Sequence, residues 1–136
     1  MGSTFDIILA GGDVVLPSMK IEKLDVGITS SKVSELGDLS RANCKERINL
    51  KGLLIIPGAI DTQVHFREPG LTHKEDIFHG TMGAILGGVT TIFEMPNTNP
   101  PTTNSIELKK KVQIAEKNAF CNFSFFIGAS KENIET

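Results

Sequence analysis

This chain is short of cysteine, of unbalanced charge and of long apolar runs, and each shortage removes a class of function. Net charge is only −2, from 14 Lys and Arg against 16 Asp and Glu in 136 residues. The one basic run, Lys109, Lys110 and Lys111, fits a solvated helix face, so no nucleic-acid partner is expected. Cys44 and Cys121 stand apart with no CxxC spacing, which argues against a disulfide framework and against a thiolate zinc site. Cys121 reads as a small core residue. No stretch approaches the ~20 apolar residues of a membrane helix, and the opening MGSTFDIILAGGD has no cationic segment leading into a long apolar one. A cytoplasmic protein with no membrane contact is the expectation.

What is present is 40% hydrophobic content, enough for a soluble globular unit. Residues 5 to 56 alternate short apolar runs (FDIILA, DVVL, LDVGIT, KVSEL, RINL) with turn signals at Gly11-Gly12, Ser30-Ser31 and Gly37, which is the chemistry of a β-meander. After Gly58 the pattern changes. Strand-like runs now alternate with longer helical ones, the pattern of βα units on a parallel sheet. A small N-terminal β domain over residues 1–52 and a βα region over 53–136 follow.

In the βα region, LLIIPGAIDTQVHF leads through Pro69-Gly70 to a first helix. Thr72 and Glu75 have the spacing of a capping box there, with Glu75 and Asp76 as first-turn charge, and Gly87-Gly88 ends the helix. TTIFEMP is a second strand and NTNPPTT its loop. A second helix starts near Asn104, with Glu107 three residues on, and places Leu108, Val112, Ala115 and Ala119 on one face. CNFSFFI is a third strand. About three βα units fall short of the ~250 residues of a closed eight-fold barrel. An incomplete barrel would expose a sheet edge, and is expected to be unstable alone or to pair with other copies. A small doubly wound sheet is the alternative.

The chemistry concentrates in DTQVHFREPG, residues 61–70, at the end of a predicted parallel strand. A period of two puts Asp61, Gln63, His65 and Arg67 on one face, where four polar side chains would be costly in an apolar core. An imidazole two residues from a second ligand suits a divalent ion such as zinc, although the neutral carbonyl of Gln63 is a poor zinc donor. Arg67 has the fork geometry that grips a carboxylate. Asn97 is in phase with Thr91, Phe93 and Met95 and reads equally as a second carboxylate contact or as an Asx turn before Pro100-Pro101. Glu68 reads as a loop ion pair or as a residue orienting Arg67. His73 and His79 read as surface residues or caps.

From these residues the chain resembles the dihydroorotases of the amidohydrolase superfamily. PGAIDTQVHFREPG, Pro57 to Gly70, matches that family's D-x-H-x-H-x-R-E-P-G run except at Gln63, where the family has His. Lys74 to Asp76 (KED), Gly87 to Thr91 (GGVTT) and Met95 to Thr102 (MPNTNPPT) match in order, so the resemblance spans essentially the whole chain. It implies an α/β fold, the N-terminal part of a (β/α)8 TIM barrel preceded by a small β-sandwich segment. It also implies a metal-dependent cyclic-amide hydrolase of pyrimidine biosynthesis, which interconverts carbamoyl aspartate and dihydroorotate.

The resemblance further implies one or two zinc ions, with His65 as a ligand and Gln63 in the other first-strand ligand place. Arg67 and Asn97 become the groups that bind the substrate carboxylate. Allantoinases and hydantoinases resemble the chain less, because as a rule they lack the arginine and the MPNT run. The family's further metal ligands and its proton-shuttling aspartate come from later strands. No catalytic residue is therefore expected in this chain, which alone is expected to be inactive. The implied partners are the small-molecule substrate, further copies of the chain and aspartate transcarbamoylase. The alternative is a non-catalytic homologue, degraded at Gln63 and kept for assembly.

Overall fold

The computed structural model describes residues 4–134 and divides the chain into two compact units, residues 1–57 and 58–136. The first unit holds seven short strands: β1 (Phe5–Ala10), β2 (Asp13–Val15), β3 (Ile21–Lys23), β4 (Asp25–Thr29), β5 (Lys32–Gly37), β6 (Cys44–Asn49) and β7 (Leu54–Ile55). They form two sheets, in the orders β5-β4-β1-β6 and β3-β2-β7.

A plain meander was expected here, and the pairing differs from it. β6 returns parallel to β1, and β7 parallel to β2. Such returns need long-range contacts that local turn chemistry does not encode. The pairing of Leu54 with Asp13 and of Ile55 with Val14 also carries the first unit on to Pro57, beyond the boundary at 52. The Ser30-Ser31 turn does close a hairpin. Both serines have positive φ, the conformation of a two-residue turn matched to strand twist, and Asp6 Oδ2 accepts the Ser30 N–H at 2.8 Å. Phe5, Ile8 and Leu39 form the buried cluster of this unit.

The second unit is α/β. Its strands β8 (Ala59–Val64), β9 (Val89–Glu94) and β10 (Asn122–Phe125) are all parallel, in the order β10-β9-β8, with helices α1 (Ile77–Leu86) and α2 (Ser105–Asn118) in the crossovers. The core is Ile77 of α1, Ala115 of α2 and Ile92 of β9, with Phe66 from just beyond β8 and Cys121 from just before β10. Gly80 is required where α1 meets the sheet, because a Cβ there would lie 2.5 Å from the Phe66 ring.

The end signals of the helices came out unevenly. Asn104 caps α2 as expected, its Oδ1 accepting the N–H groups of Ile106 at 3.0 Å and Glu107 at 2.9 Å. Gly87 is the C-cap of α1, and Gly88 follows with φ 85°. The Thr72–Glu75 capping box does not form. Residues 71–74 make a turn instead, with Lys74 N–H on the Leu71 carbonyl, and the helix starts five residues after Thr72. Asp76 is the true N-cap, taking the His79 N–H at 2.7 Å, while Glu68 Oε2 reaches in to accept the Ile77 N–H at 2.8 Å. Two carboxylates thus satisfy orphan donors at the first turn, where the helix dipole favours negative charge.

The largest departure concerns Lys111. Rather than lying on a solvated face, it is 0% exposed. It stands three residues after Leu108 and four before Ala115, inside the inward stripe of α2, so the helical period overrides the reading of the triple-lysine run.

Candidate functional site

The carboxyl ends of β8 and β9 bring two of the sequence-selected residues into direct contact. His65 follows β8 and Asn97 follows β9, and His65 Nδ1 lies 2.9 Å from Asn97 Oδ1. With Asn97 offering an oxygen, Nδ1 carries the proton and Nε2 is left as an acceptor. An Asx turn would take the Asn99 N–H, which donates instead to the Pro69 carbonyl at 3.1 Å. Both side chains are exposed.

The single face assumed for Asp61, Gln63, His65 and Arg67 is interrupted twice. Asp61 pairs with Ile92 and Val64 with Glu94, so β8 carries one more residue than β9 between those points. Such a bulge turns side chains away from strict alternation. Asp61 Oδ1 accepts the Gln63 N–H across it at 3.0 Å. Arg67 then lies beyond the strand, in the left-handed region at φ 74°. A non-glycine residue held there costs ~1–3 kcal/mol, so its surroundings must hold it. Two bonds hold its backbone: the Arg67 N–H donates to the Glu94 side chain at Oε1, 3.2 Å away, and the Arg67 carbonyl accepts the Leu71 N–H at 3.0 Å. The residue is half-buried, and its guanidinium has no hydrogen-bond or ion-pair partner among the described residues.

The loops after β8 and β9 dock on each other. Asn99 N–H donates to the Pro69 carbonyl at 3.1 Å, and Gly70, at φ 92°, sits so close that an added Cβ would collide with the Asn99 carbonyl oxygen. Among the described residues Glu68 makes no ion pair with Arg67 or any other residue, and its Oε2 serves α1. His73 is exposed, and His79 is exposed against Asp76, with its Nδ1 2.9 Å from both carboxylate oxygens. Hydrogen bonds from the His79 backbone and then its ring hold the Asp76 carboxyl below its ordinary range.

Behind the site lies a pair that the sequence reading missed. Glu94, the last residue of β9, is 1% exposed, and its Oε2 lies 3.0 Å from Lys111 Nζ. Lys111 also donates to the Met95 carbonyl at 3.0 Å and stands 5.3 Å from the centre of the Phe125 ring. Burial pushes the Glu94 carboxyl up and the Lys111 ammonium down, each partly opposed by the other's charge. The available signal was phase. Glu94 shares the buried phase of Ile92 on a central strand, and Lys111 shares that of Ala115 on α2.

A family model described as dihydro-orotase-like matches residues 52–133. The chain belongs to that family. Among dihydroorotase-like relatives, a dihydroorotase from Methanothermobacter thermautotrophicus is 36% identical over 119 residues, covering 85% of this chain and 27% of its own length. An allantoinase from Rubrobacter xylanophilus is 39% identical over 127 residues, 93% of this chain and 28% of the relative. In structure, an L-hydantoinase (dihydropyrimidinase) from Arthrobacter aurescens matches 96% of the chain and 29% of its own chain, with a TM-score of 0.89 and 28% identity. The chain therefore spans just over a quarter of the length of these three relatives.

The dihydroorotase-like resemblance implies zinc, and the donors can be tested against it. Among the described residues no three His, Cys, Asp or Glu side chains gather where they would hold a metal ion. The strand-one segment brings one imidazole, His65, one neutral amide, Gln63, and the Asp61 carboxylate. A structural or catalytic zinc takes at least three protein ligands, commonly imidazole or thiolate nitrogen and sulfur donors. The described residues do not make such a site by themselves.

Proposed function

We propose that this chain carries the carboxylate-binding part of a dihydroorotase, an enzyme that interconverts carbamoyl aspartate and dihydroorotate in pyrimidine biosynthesis. The observation that carries the reading is half-buried Arg67, whose guanidinium is unpaired among the described residues, in the docked loops after β8 and β9 that also carry His65 and Asn97. A planar cation with no protein partner is complementary to a planar carboxylate. Dihydroorotate has a ring carboxylate and allantoin has none, so the arginine favours the first substrate class over the second. Asn97, fixed by His65 through its oxygen, retains an amide NH2 that donates to the same carboxylate.

In this reading His65 supplies one imidazole towards zinc through Nε2, and Gln63 fills a second ligand position with a weaker oxygen. The small β domain, the remainder of a TIM barrel, further copies of the chain and an assembly with aspartate transcarbamoylase belong to the same proposal, as does a cytoplasmic location. No helix of the described residues is long and apolar enough to cross a membrane. The chain's own contribution is binding and orientation, which turns an encounter into a fixed geometry.

Titration calorimetry with dihydroorotate tests the reading. Binding is expected, and Arg67→Met is expected to weaken it by about ten- to a hundredfold, the size of a lost charge-assisted hydrogen bond. Equal binding by the variant would remove Arg67 from the site and the reading with it.

A second reading is favoured by Gln63, a non-catalytic homologue kept for assembly. In that case Gln63→His raises zinc affinity without producing hydrolysis. Hydrolysis of dihydroorotate by the unaltered protein would exclude it.

A further inference from the structure

Apart from the Phe125 ring over which Lys111 Nζ stands, the buried pair Glu94–Lys111 directs its polar contacts at the site's backbone and at itself. Glu94 Oε1 accepts the N–H of Arg67 at 3.2 Å, Glu94 Oε2 meets Lys111 Nζ at 3.0 Å, and Lys111 Nζ donates to the carbonyl of Met95, also at 3.0 Å. The chain of contacts therefore begins at the backbone of the residue whose guanidinium faces the proposed carboxylate. It ends two residues before Asn97. The other hydrogen bonds between these segments are Met95 N–H to the Val64 carbonyl, Asn99 N–H to that of Pro69, and the exposed His65–Asn97 side-chain bond.

Stability alone is a weak reason for this arrangement. Two buried charges lose their hydration, and replacing such a pair by apolar side chains of similar volume is often neutral or stabilising. The pair does something that apolar residues cannot do, since it presents a charged acceptor to one strand end and a charged donor to the next. For Arg67 the charged acceptor adds to the Leu71 N–H on its carbonyl in holding a left-handed backbone that is costly for a side-chain-bearing residue.

We propose that Glu94 and Lys111 are positioning residues, a buried clamp that fixes the strand-end backbones carrying Arg67 and Asn97 and so preorganises the carboxylate site. The clamp rests on the dihydroorotase reading for its purpose, though not for its geometry. It acts through Arg67 and Asn97 and touches no substrate. Because the carboxylate is bound alike before and during reaction, loss of the clamp moves KM more than kcat.

Amide hydrogen exchange, read residue by residue on the protein, tests the geometry. In the unaltered protein the Arg67 amide is expected to exchange as slowly as the amides of β9, although it lies in a loop. Exchange at the rate of the exposed loop residues 72–75 overturns the clamp outright, with no variant needed. The double variant Glu94→Leu/Lys111→Met removes both charges together and keeps the volume. It is expected to unfold cooperatively at an unchanged or higher temperature while the Arg67 amide exchanges about tenfold faster, as for loss of a hydrogen bond to a charged group.

Glu94→Gln/Lys111→Met keeps an acceptor for Arg67 and is expected to restore its protection, which a role in bulk packing would not produce. Dihydroorotate affinity, and KM against kcat wherever turnover is measured, should fall and recover with that protection. A folded Leu/Met variant with unchanged Arg67 exchange overturns the proposal. If the unaltered protein fails to bind dihydroorotate, the functional reading falls and the exchange result still decides the clamp.

Discussion

β8 and β9 are adjacent parallel strands of similar length, yet they treat polar side chains in opposite ways. On β9, the central strand, Glu94 is enclosed and its charge is matched by Lys111. On β8, an outer strand, Asp61 and Gln63 are exposed, as is His65 just beyond it. A central strand admits a charge only with a dedicated partner, because desolvation is otherwise prohibitive. An outer strand can hold polar groups facing solvent, where they are accessible to a ligand. The internal pair thus holds the strand ends together, and the exposed set is the one that the proposed function assigns to recognition.

Removing one charge from the central strand should have the largest effect. Lys111→Met leaves Glu94 buried without its cation, and urea unfolding at neutral pH should show a loss of about 3–5 kcal/mol. This variant should gain stability as pH falls. Burial already raises the Glu94 carboxyl, so the folded state holds that proton more tightly than the unfolded chain does. The contribution is complete below the unfolded carboxylate pKa and is lost as pH rises through the folded one. A flat profile between weakly acid and neutral pH would show that Glu94 escapes to water.

Ile92→Ala, also on β9, should cost about 2–5 kcal/mol through the cavity it leaves. A loss below 1 kcal/mol would mean that α1 and α2 collapse onto the gap. Asp76→Ala, at the start of α1, should cost ~1 kcal/mol by thermal unfolding. Here the sign reverses, since hydrogen bonds hold the Asp76 carboxyl low. Its contribution is present above the ordinary carboxylate pKa and is lost as pH falls through the folded one, so the variant and parent should converge in acid. On β8, Gln63→His should change stability by less than ~0.5 kcal/mol, as for an exposed site. Its effect should appear as tighter zinc binding, read by competition with a chromophoric chelator. A large stability change at Gln63 would erase the contrast between the strands.

The same contrast explains what was legible in the sequence. Asn104 and Gly87-Gly88 could be read because caps are local, depending on one side chain and the next few backbone donors. The parallel strands could be read from alternation with helical segments, and the family from runs such as REPG and MPNT. Thr72 and Glu75 misled because Asp76 and Glu68 compete for the same helix, and Glu68 reaches it across a loop. The bulge after Asp61 depends on pairing with β9, and the parallel returns of β6 and β7 depend on partners far along the chain. Lys111 was hidden by its neighbours, because two exposed lysines before it disguised a position that the helical period places inside.

Gly70 has a consequence for anyone exchanging parts between relatives. Its backbone presses on Asn99 with no space for a methyl group, so the segments 67–70 and 97–101 are complementary halves of a single mould. A graft of either segment alone from a relative with a bulkier residue at this contact would meet the other as an obstacle. Only paired transplantation preserves the shape, which makes the two loops one unit of inheritance although more than 25 residues lie between them.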